Sequence, residues 1–367
     1  MMQVKAQIGK FQLAIMILLF LIGNTPLLKP PGQLKQDSWI ALLIGAAFGS
    51  LYLWMLLVIQ RRSPDSDLAE LYQQLFGKWL GFALAFPQGL FFAYEASRNI
   101  RDFSDLTAMT ILSRTPEWSI KLLMVMLSLY AVWGGTRVLF RLAELLFPIV
   151  VLGYLLIIVL LIQAGLPDFH RLQPIMSDGI GPILKVVFPD FTAFPFAQIL
   201  TMLVFWKYVK PSAAIGKITY RAYTMTALFS IFMHMLVMSV LGPGLNEYST
   251  IPFLQAVQLI QLANFLERLD VVVTVLIIIG LFIKLSLLFM AAALTLSSLL
   301  KIPYRTCAVV LAPIIYGVCF LEPNHSVHQW IGFHIVIRYL IPAQMLLMTV
   351  AFLVGFFRKG KKSSKAS

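Results

Sequence analysis

The chain has 367 residues, of which 59% are hydrophobic and 12% charged, with a formal net charge of +13. Ordinary soluble domains carry about a quarter charged residues, so this composition, with a mean hydropathy of +0.85, excludes a soluble domain with one anchor and implies a polytopic membrane protein. The basic residues sit in short loops between apolar runs, a pattern of membrane topology that argues against a nucleic-acid partner.

A helix crossing roughly 30 Å of hydrocarbon needs about 20 apolar residues, and ten stretches of the chain answer to that length. The first, residues 8–28, is interrupted by Gly23-Asn24-Thr25-Pro26. Glycine tolerates any backbone angle, and proline lacks a donor and clashes with the preceding turn. An unpaired backbone group in hydrocarbon costs several kcal/mol, so a break persists only where protein, water or a ligand satisfies it. Amides near Gly23 and Asn24 suit a carboxylate, and freed carbonyls suit an ammonium group or Na⁺. Without a side chain, Gly23 also admits a ligand close to the backbone.

The second and third spans are read at 39–60 and 79–104. Near the end of the third, Glu95, Arg98, Asp102 and Asp105 step by three, four and three and share one helical face. A charge facing lipid costs about 2.5–3.5 kcal/mol on insertion scales, so this face turns toward the bundle or a vestibule. It reads either as a charge-paired gate or as a structural network locking helices together. Tyr94 and Arg98 lie deeper and are binding-site candidates. Spans four and five, 120–136 and 142–164, carry no comparable chemistry.

The sixth span, 182–206, holds the second break, Phe188-Pro189-Asp190-Phe191-Thr192-Ala193-Phe194-Pro195-Phe196. Around Pro195, Phe194, Phe196 and Leu200 are expected to form the apolar wall of a pocket, with Gln198 as a polar orienter. In the seventh span, 220–241, His234 reads as an interhelical histidine or as a proton relay. Polar residues at 255, 258, 261 and 264 predict an amphipathic helix over 252–267 lying on the outer surface.

The eighth span, 270–299, contains Thr274, a candidate solute contact, and Lys284 at a depth where an amine needs a partner. Lys284 stands in for a bound cation or joins a charge pair, or else it snorkels to the interface. Asp190 is read as its carboxylate partner or as a vestibule residue. Spans nine and ten follow at 304–321 and 334–357, and a basic tail occupies 358–367. Cys307 and Cys319 form no disulfide framework, and His325 and His328 lack a clear third metal ligand. No His-Glu-x-x-His, Gly-x-Ser-x-Gly or P-loop pattern is present, so no enzymatic activity is expected.

Interruptions at matching places in two halves point to a transporter-type site at the membrane midplane. The expected fold is therefore an all-α single domain of ten transmembrane helices with broken first and sixth helices. Residues 8–164 and 182–357 would form a five-plus-five inverted repeat. Lysine and arginine are more numerous in the loops on the side of the first residues, which puts both termini in the cytoplasm.

Four pieces of sequence carry a family resemblance: Ile22-Gly23-Asn24; Gln36-Asp37-Ser38-Trp39-Ile40; Arg101-Asp102-Phe103 with Thr115-Pro116; and Phe265-Leu266-Glu267-Arg268-Leu269-Asp270 running on to Phe282-Ile283-Lys284. In this order the chain resembles the GerAB-type spore germination permeases, the B subunits of nutrient germinant receptors. The resemblance implies the LeuT-like fold of the amino acid/polyamine/organocation transporters. It also implies a place in the spore inner membrane, A and C subunits as partners, and a small nutrient such as an amino acid as ligand. The third span would close the pocket near Tyr94 and Arg98, and the eighth would contribute to the substrate and ion region. The function expected is nutrient sensing in a midplane cavity with signalling to the partners. The alternative is a secondary transporter of an amino acid or amine coupled to an ion. No cofactor is expected, and coupling to Na⁺ or H⁺ is left open.

Overall fold

The computed structural model describes residues 7–23, 25–27, 32–260 and 269–357. Its helices are α1 (Lys10–Ile22), α2 (Ser38–Arg62), α3 (Leu68–Phe76), α4 (Lys78–Thr110), α5 (Glu117–Trp133), α6 (Thr136–Gln163), α7 (Ile180–Val186), α8 (Ile215–Tyr248), α9 (Pro252–Gln258), α10 (Leu269–Leu300), α11 (Tyr304–Val318), α12 (His325–Ile331) and α13 (Ile341–Phe357). A π-helical turn, Gly332–Leu340, joins the last two. Seven helical stretches, counted among the described residues, are long and apolar enough to cross a membrane. Helix α4 also has the length but carries its charged face, while α5 and α11 are shorter.

Both breaks are present in the backbone. Helix α1 ends at Ile22, and the chain resumes as a 3₁₀ turn over Thr25–Leu27, where the Thr25 hydroxyl donates to the Leu21 carbonyl at 2.7 Å. That side-chain bond satisfies one of the carbonyls a terminating helix leaves open. The second break is longer. Helix α7 gives way to a π-helical turn over Val187–Phe191 in which Phe188 is extended (φ −124°, ψ 122°), and a 3₁₀ helix follows over Phe196–Val204. All nine residues of that 3₁₀ helix are buried, as backbone of irregular geometry at membrane depth must be. A third interruption, not expected from the sequence, falls inside α8 at Gly242 (φ 70°), directly before Pro243. Positive φ is open to glycine at little cost.

Helix α10 is the spine of the molecule. It packs most extensively on α4 and also touches α1, α5, α6 and α11. Its Ala291, Ala292 and Ala293 are wholly buried, small residues that let membrane helices approach closely.

One expectation is corrected here. The segment read as a surface-lying amphipathic helix is helical over Pro252–Gln258, but its apolar residues Phe253, Leu254, Ala256 and Val257 are buried against protein. Phe253 stacks on Tyr154 of α6 with ring centroids 5.7 Å apart. Of the predicted polar stripe Gln258 is exposed and Gln255 half-buried, and periodicity alone cannot say whether lipid or a neighbouring helix covers the apolar side. Positions 261 and 264, and the basic tail 358–367, lie outside the described residues.

Candidate functional site

The second break and the charged face of α4 meet at a cavity of about 70 Å³, which the turn after the first break reaches through Leu27. Leu27 approaches it from beyond the first break, Phe194 and Gln198 from the second, Glu95, Arg98, Asn99 and Asp102 from α4, and Phe333 from the π-helical turn.

Behind this cavity runs a chain of buried hydrogen bonds. Lys284 Nζ donates to Gln198 Oε1 at 2.6 Å, and Gln198 Nε2 donates to Glu95 Oε2 at 3.1 Å. Lys284 has no exposed surface, and its ammonium lies 5.4 Å and 4.9 Å from the ring centres of Phe20 and Phe194. Aromatic faces at that range attract a desolvated cation by up to about 2 kcal/mol. The other carboxylate oxygen, Glu95 Oε1, is buried and has no hydrogen-bond partner among the described residues. An uncompensated buried charge is costly, and native structures keep few of them.

On the outward side of the cavity a second set of polar groups ties α4 to the loop before α12. Arg98 Nη1 donates to Glu322 Oε1 at 2.7 Å and Tyr94 Oη to the same oxygen at 2.9 Å. Arg98 Nη2 donates to the His328 carbonyl at 3.0 Å. The His328 ring bridges Glu322 through Nδ1 and Asp102 through Nε2, the latter at 2.9 Å. Further along the same face, Arg101 pairs with Asp105 at 3.0 Å, and His325 reaches Asp105 at 2.8 Å. Burial alone would raise the Glu322 carboxyl, but the hydrogen bond from His328 and the charge of Arg98 outweigh it and hold that group below its usual range.

The residues singled out from sequence distribute unevenly around this centre. Arg98, Phe194 and Gln198 line the cavity, with buried Pro195 between the last two in the turn. Tyr94 stands outside the lining, its hydroxyl donating to Glu322 and its ring 5.9 Å from the guanidinium of Arg98. Gly23 is packed against Gly280 of α10, since a Cβ on Gly23 would stand 2.8 Å from the Gly280 carbonyl oxygen. The backbone approached by this glycine is thus that of another helix. Asn24 lies outside the described residues. Phe196 turns away from the cavity to pack on Tyr223, with ring centroids at 5.7 Å, and Leu200 is buried outside the lining. Thr274 donates to the Asp270 carbonyl within its own helix.

Asp190 pairs with Arg338 at 3.4 Å, while the partner seen for Lys284 on the sixth stretch is Gln198. Asp190 sits in the π-helical turn Val187–Phe191 and Gln198 in the 3₁₀ helix that follows, and the two side chains serve different neighbours. His234 accepts or donates across 2.7 Å to Ser38 of α2, as an interhelical histidine does. No cluster of three or more metal-ligating side chains with suitable geometry occurs among the described residues.

Glu95, Asn99, Glu322 and His328 were not among the site candidates. Glu95 was visible on the charged face and, at that depth, needed a partner as much as Lys284 did. Glu322 and His328 gave no comparable signal, being more than 220 positions from the α4 residues they bind.

A family model described as "Spore germination protein" matches residues 7–327. Spore germination protein KB of Bacillus subtilis (strain 168) is 31% identical over 363 residues, covering 98% of this chain and 97% of the relative. Spore germination protein YndE of the same organism is 26% identical, covering 88% of this chain and 89% of its own length. Among solved structures, the nucleobase-cation-symport-1 family transporter Mhp1, closed on bromovinylhydantoin, superposes with a TM-score of 0.71 at 12% identity over 95% of this chain and 78% of that one. MhsT in complex with L-phenylalanine gives 0.62 at 12% identity, over 94% and 98%. Both are similar in fold, which is that of LeuT-like transporters.

Proposed function

This chain belongs to the spore germination protein family matched over residues 7–327, and from that premise we propose that it is the nutrient-binding membrane subunit of a germinant receptor. The ligand is a small solute, an amino acid by preference, held at the cavity between the broken first and sixth stretches. The observation that carries this reading is the convergence of Arg98, Glu95 and Gln198 on one cavity that the second break lines and the turn after the first reaches through Leu27. A guanidinium with unused donors suits a carboxylate, and a buried carboxylate suits an ammonium group.

In this reading ten helices cross the spore inner membrane as two inverted sets of five, with both termini in the cytoplasm. Occupancy shifts a conformational equilibrium that A and C subunits detect. The ligand can shift it only by its difference in affinity between the two states. Binding sites are a few per protein and concave, with a small number of placed polar groups, which suits this cavity better than the second one. That second cavity, of about 50 Å³, takes in Ile22, Thr25 and Pro26 of the first break but is lined mainly by apolar and aromatic residues such as Tyr154 and Phe253.

Secondary transport of an amino acid or amine is the other reading, favoured by the likeness in fold to two solute-bound proteins, one of them named a transporter. Proteoliposomes separate the two. Saturable binding of labelled amino acid without accumulation is expected; accumulation against a gradient would move the assignment to transport.

A further inference from the structure

Among the described residues, the carboxylates on α4 and on the segments packed against it have a cationic or imidazole partner in direct contact, with one exception. Asp102 has His328, Asp105 has Arg101, Glu322 has Arg98 and His328, and Glu117 has Lys121. Glu95 has none of these among the described residues. Its Oε2 accepts from the Gln198 amide, which stands between it and Lys284, and its Oε1 accepts from nothing. Glu95 is 6% exposed and lines the cavity, as do Asp102 and Arg98, so the lining carries one more negative group than positive. The Phe194 ring forms part of the same wall, and aromatic faces favour cations.

We propose that Glu95 is the amine-selecting residue of this cavity: its carboxylate, part of the lining and without a cation of its own, receives the protonated amino group of the ligand. The ligand is thereby a primary ammonium compound, and its carboxylate, where it has one, turns to Arg98. Selectivity follows from the cost of a mismatch. A ligand with a hydroxyl in place of the amine would leave a buried carboxylate without its cation, and sites built around one hydrogen-bonding group reject the analogue lacking it steeply.

This proposal rests on the nutrient-binding reading above, and one experiment separates their failures. The full chain in lipid nanodiscs is titrated with tritiated glycine, L-alanine and L-serine, with glycolate, L-lactate and L-glycerate as competitors, in sodium and in choline buffers. Wild type is expected to prefer an amino acid over its hydroxy-acid counterpart by about 100-fold or more. The isosteric variant Glu95→Gln loses that preference to within about a few fold, and Glu95→Asp retains part of it. Thermal denaturation of both variants reports folding, and a purely structural glutamate would weaken amino acid and hydroxy acid alike with the preference intact. An unchanged preference in Glu95→Gln overturns the assignment while leaving nutrient binding in place. The same holds if wild type takes both classes equally, or if Na⁺ is the species Glu95 is needed for. Absence of any binding by folded wild type overturns both.

Discussion

Gly23 and Gly280 meet backbone to backbone, and a Cβ on Gly280 would lie 2.7 Å from the Gly23 carbonyl oxygen. Overpacking of this kind costs about 1–3 kcal/mol, so Gly280→Val is expected to lower the thermal midpoint of the detergent-solubilised protein by several degrees. A midpoint equal to wild type would mean that the two helices are not held in contact. The sequence signalled Gly23 as a break because of its neighbours Asn24 and Pro26, but could not name Gly280, more than 250 positions away. The same distance problem governs Lys284. Its isolation among Ile283 and Leu285 announced a needed partner, and Gln198 was noted independently as a polar residue of the sixth span. Nothing short of the fold joins the two, and Asp190 was the more obvious carboxylate to choose.

At the scale of elements, the loop between α11 and α12 acts as a clasp on α4, and Glu322 is its hub. The folded Glu322 carboxyl is held below its ordinary value, so it binds its proton less readily in the folded than in the unfolded chain. Its stabilisation is fully present above the unfolded pKa of about 4.3 and is lost as pH falls through the lower folded value. Thermal midpoints measured from pH 6 to pH 3 should therefore fall most steeply below about pH 4. Glu322→Gln should start lower, by about 1.5–3 kcal/mol for hydrogen bonds to a charged group, and show a shallower fall. Equal slopes for the two proteins would remove Glu322 as the cause. The charged face of α4 was legible because Glu95, Arg98, Asp102 and Asp105 recur at helical spacing. Its partners were not, because Glu322 sits in a loop and His328 in a short helix of unremarkable sequence. Helix α9 teaches the complementary lesson: its apolar positions marked a face that needed cover, and only the fold showed that Tyr154 supplies part of it.

For the molecule as a whole, composition was enough to place it in a bilayer, and the Gly-Asn-Thr-Pro cluster with the paired prolines 189 and 195 was enough to place its interruptions. The break at Gly242, in Gly242-Pro243-Gly244, falls one residue beyond the predicted end of the seventh span, and the helix resumes after it to Tyr248. Ten crossings with cytoplasmic termini require that the loop after α2 and the loop before α5 face opposite sides. A cysteine at Asp65→Cys should therefore resist a membrane-impermeant maleimide on intact protoplasts, whereas Arg114→Cys should react; both positions are exposed. Reaction of both would break the proposed topology.

The most direct test of solute binding between the two breaks uses Phe333, a half-buried residue of the cavity wall. In a background with Cys307 and Cys319 replaced by alanine, the rate at which a small methanethiosulfonate modifies Phe333→Cys is measured while glycine, L-alanine or L-serine is raised to millimolar concentration. Saturable slowing by at least one of them, with the midpoint matching its binding isotherm, is the predicted result. A modification rate indifferent to every amino acid that the same protein binds would place the solute elsewhere.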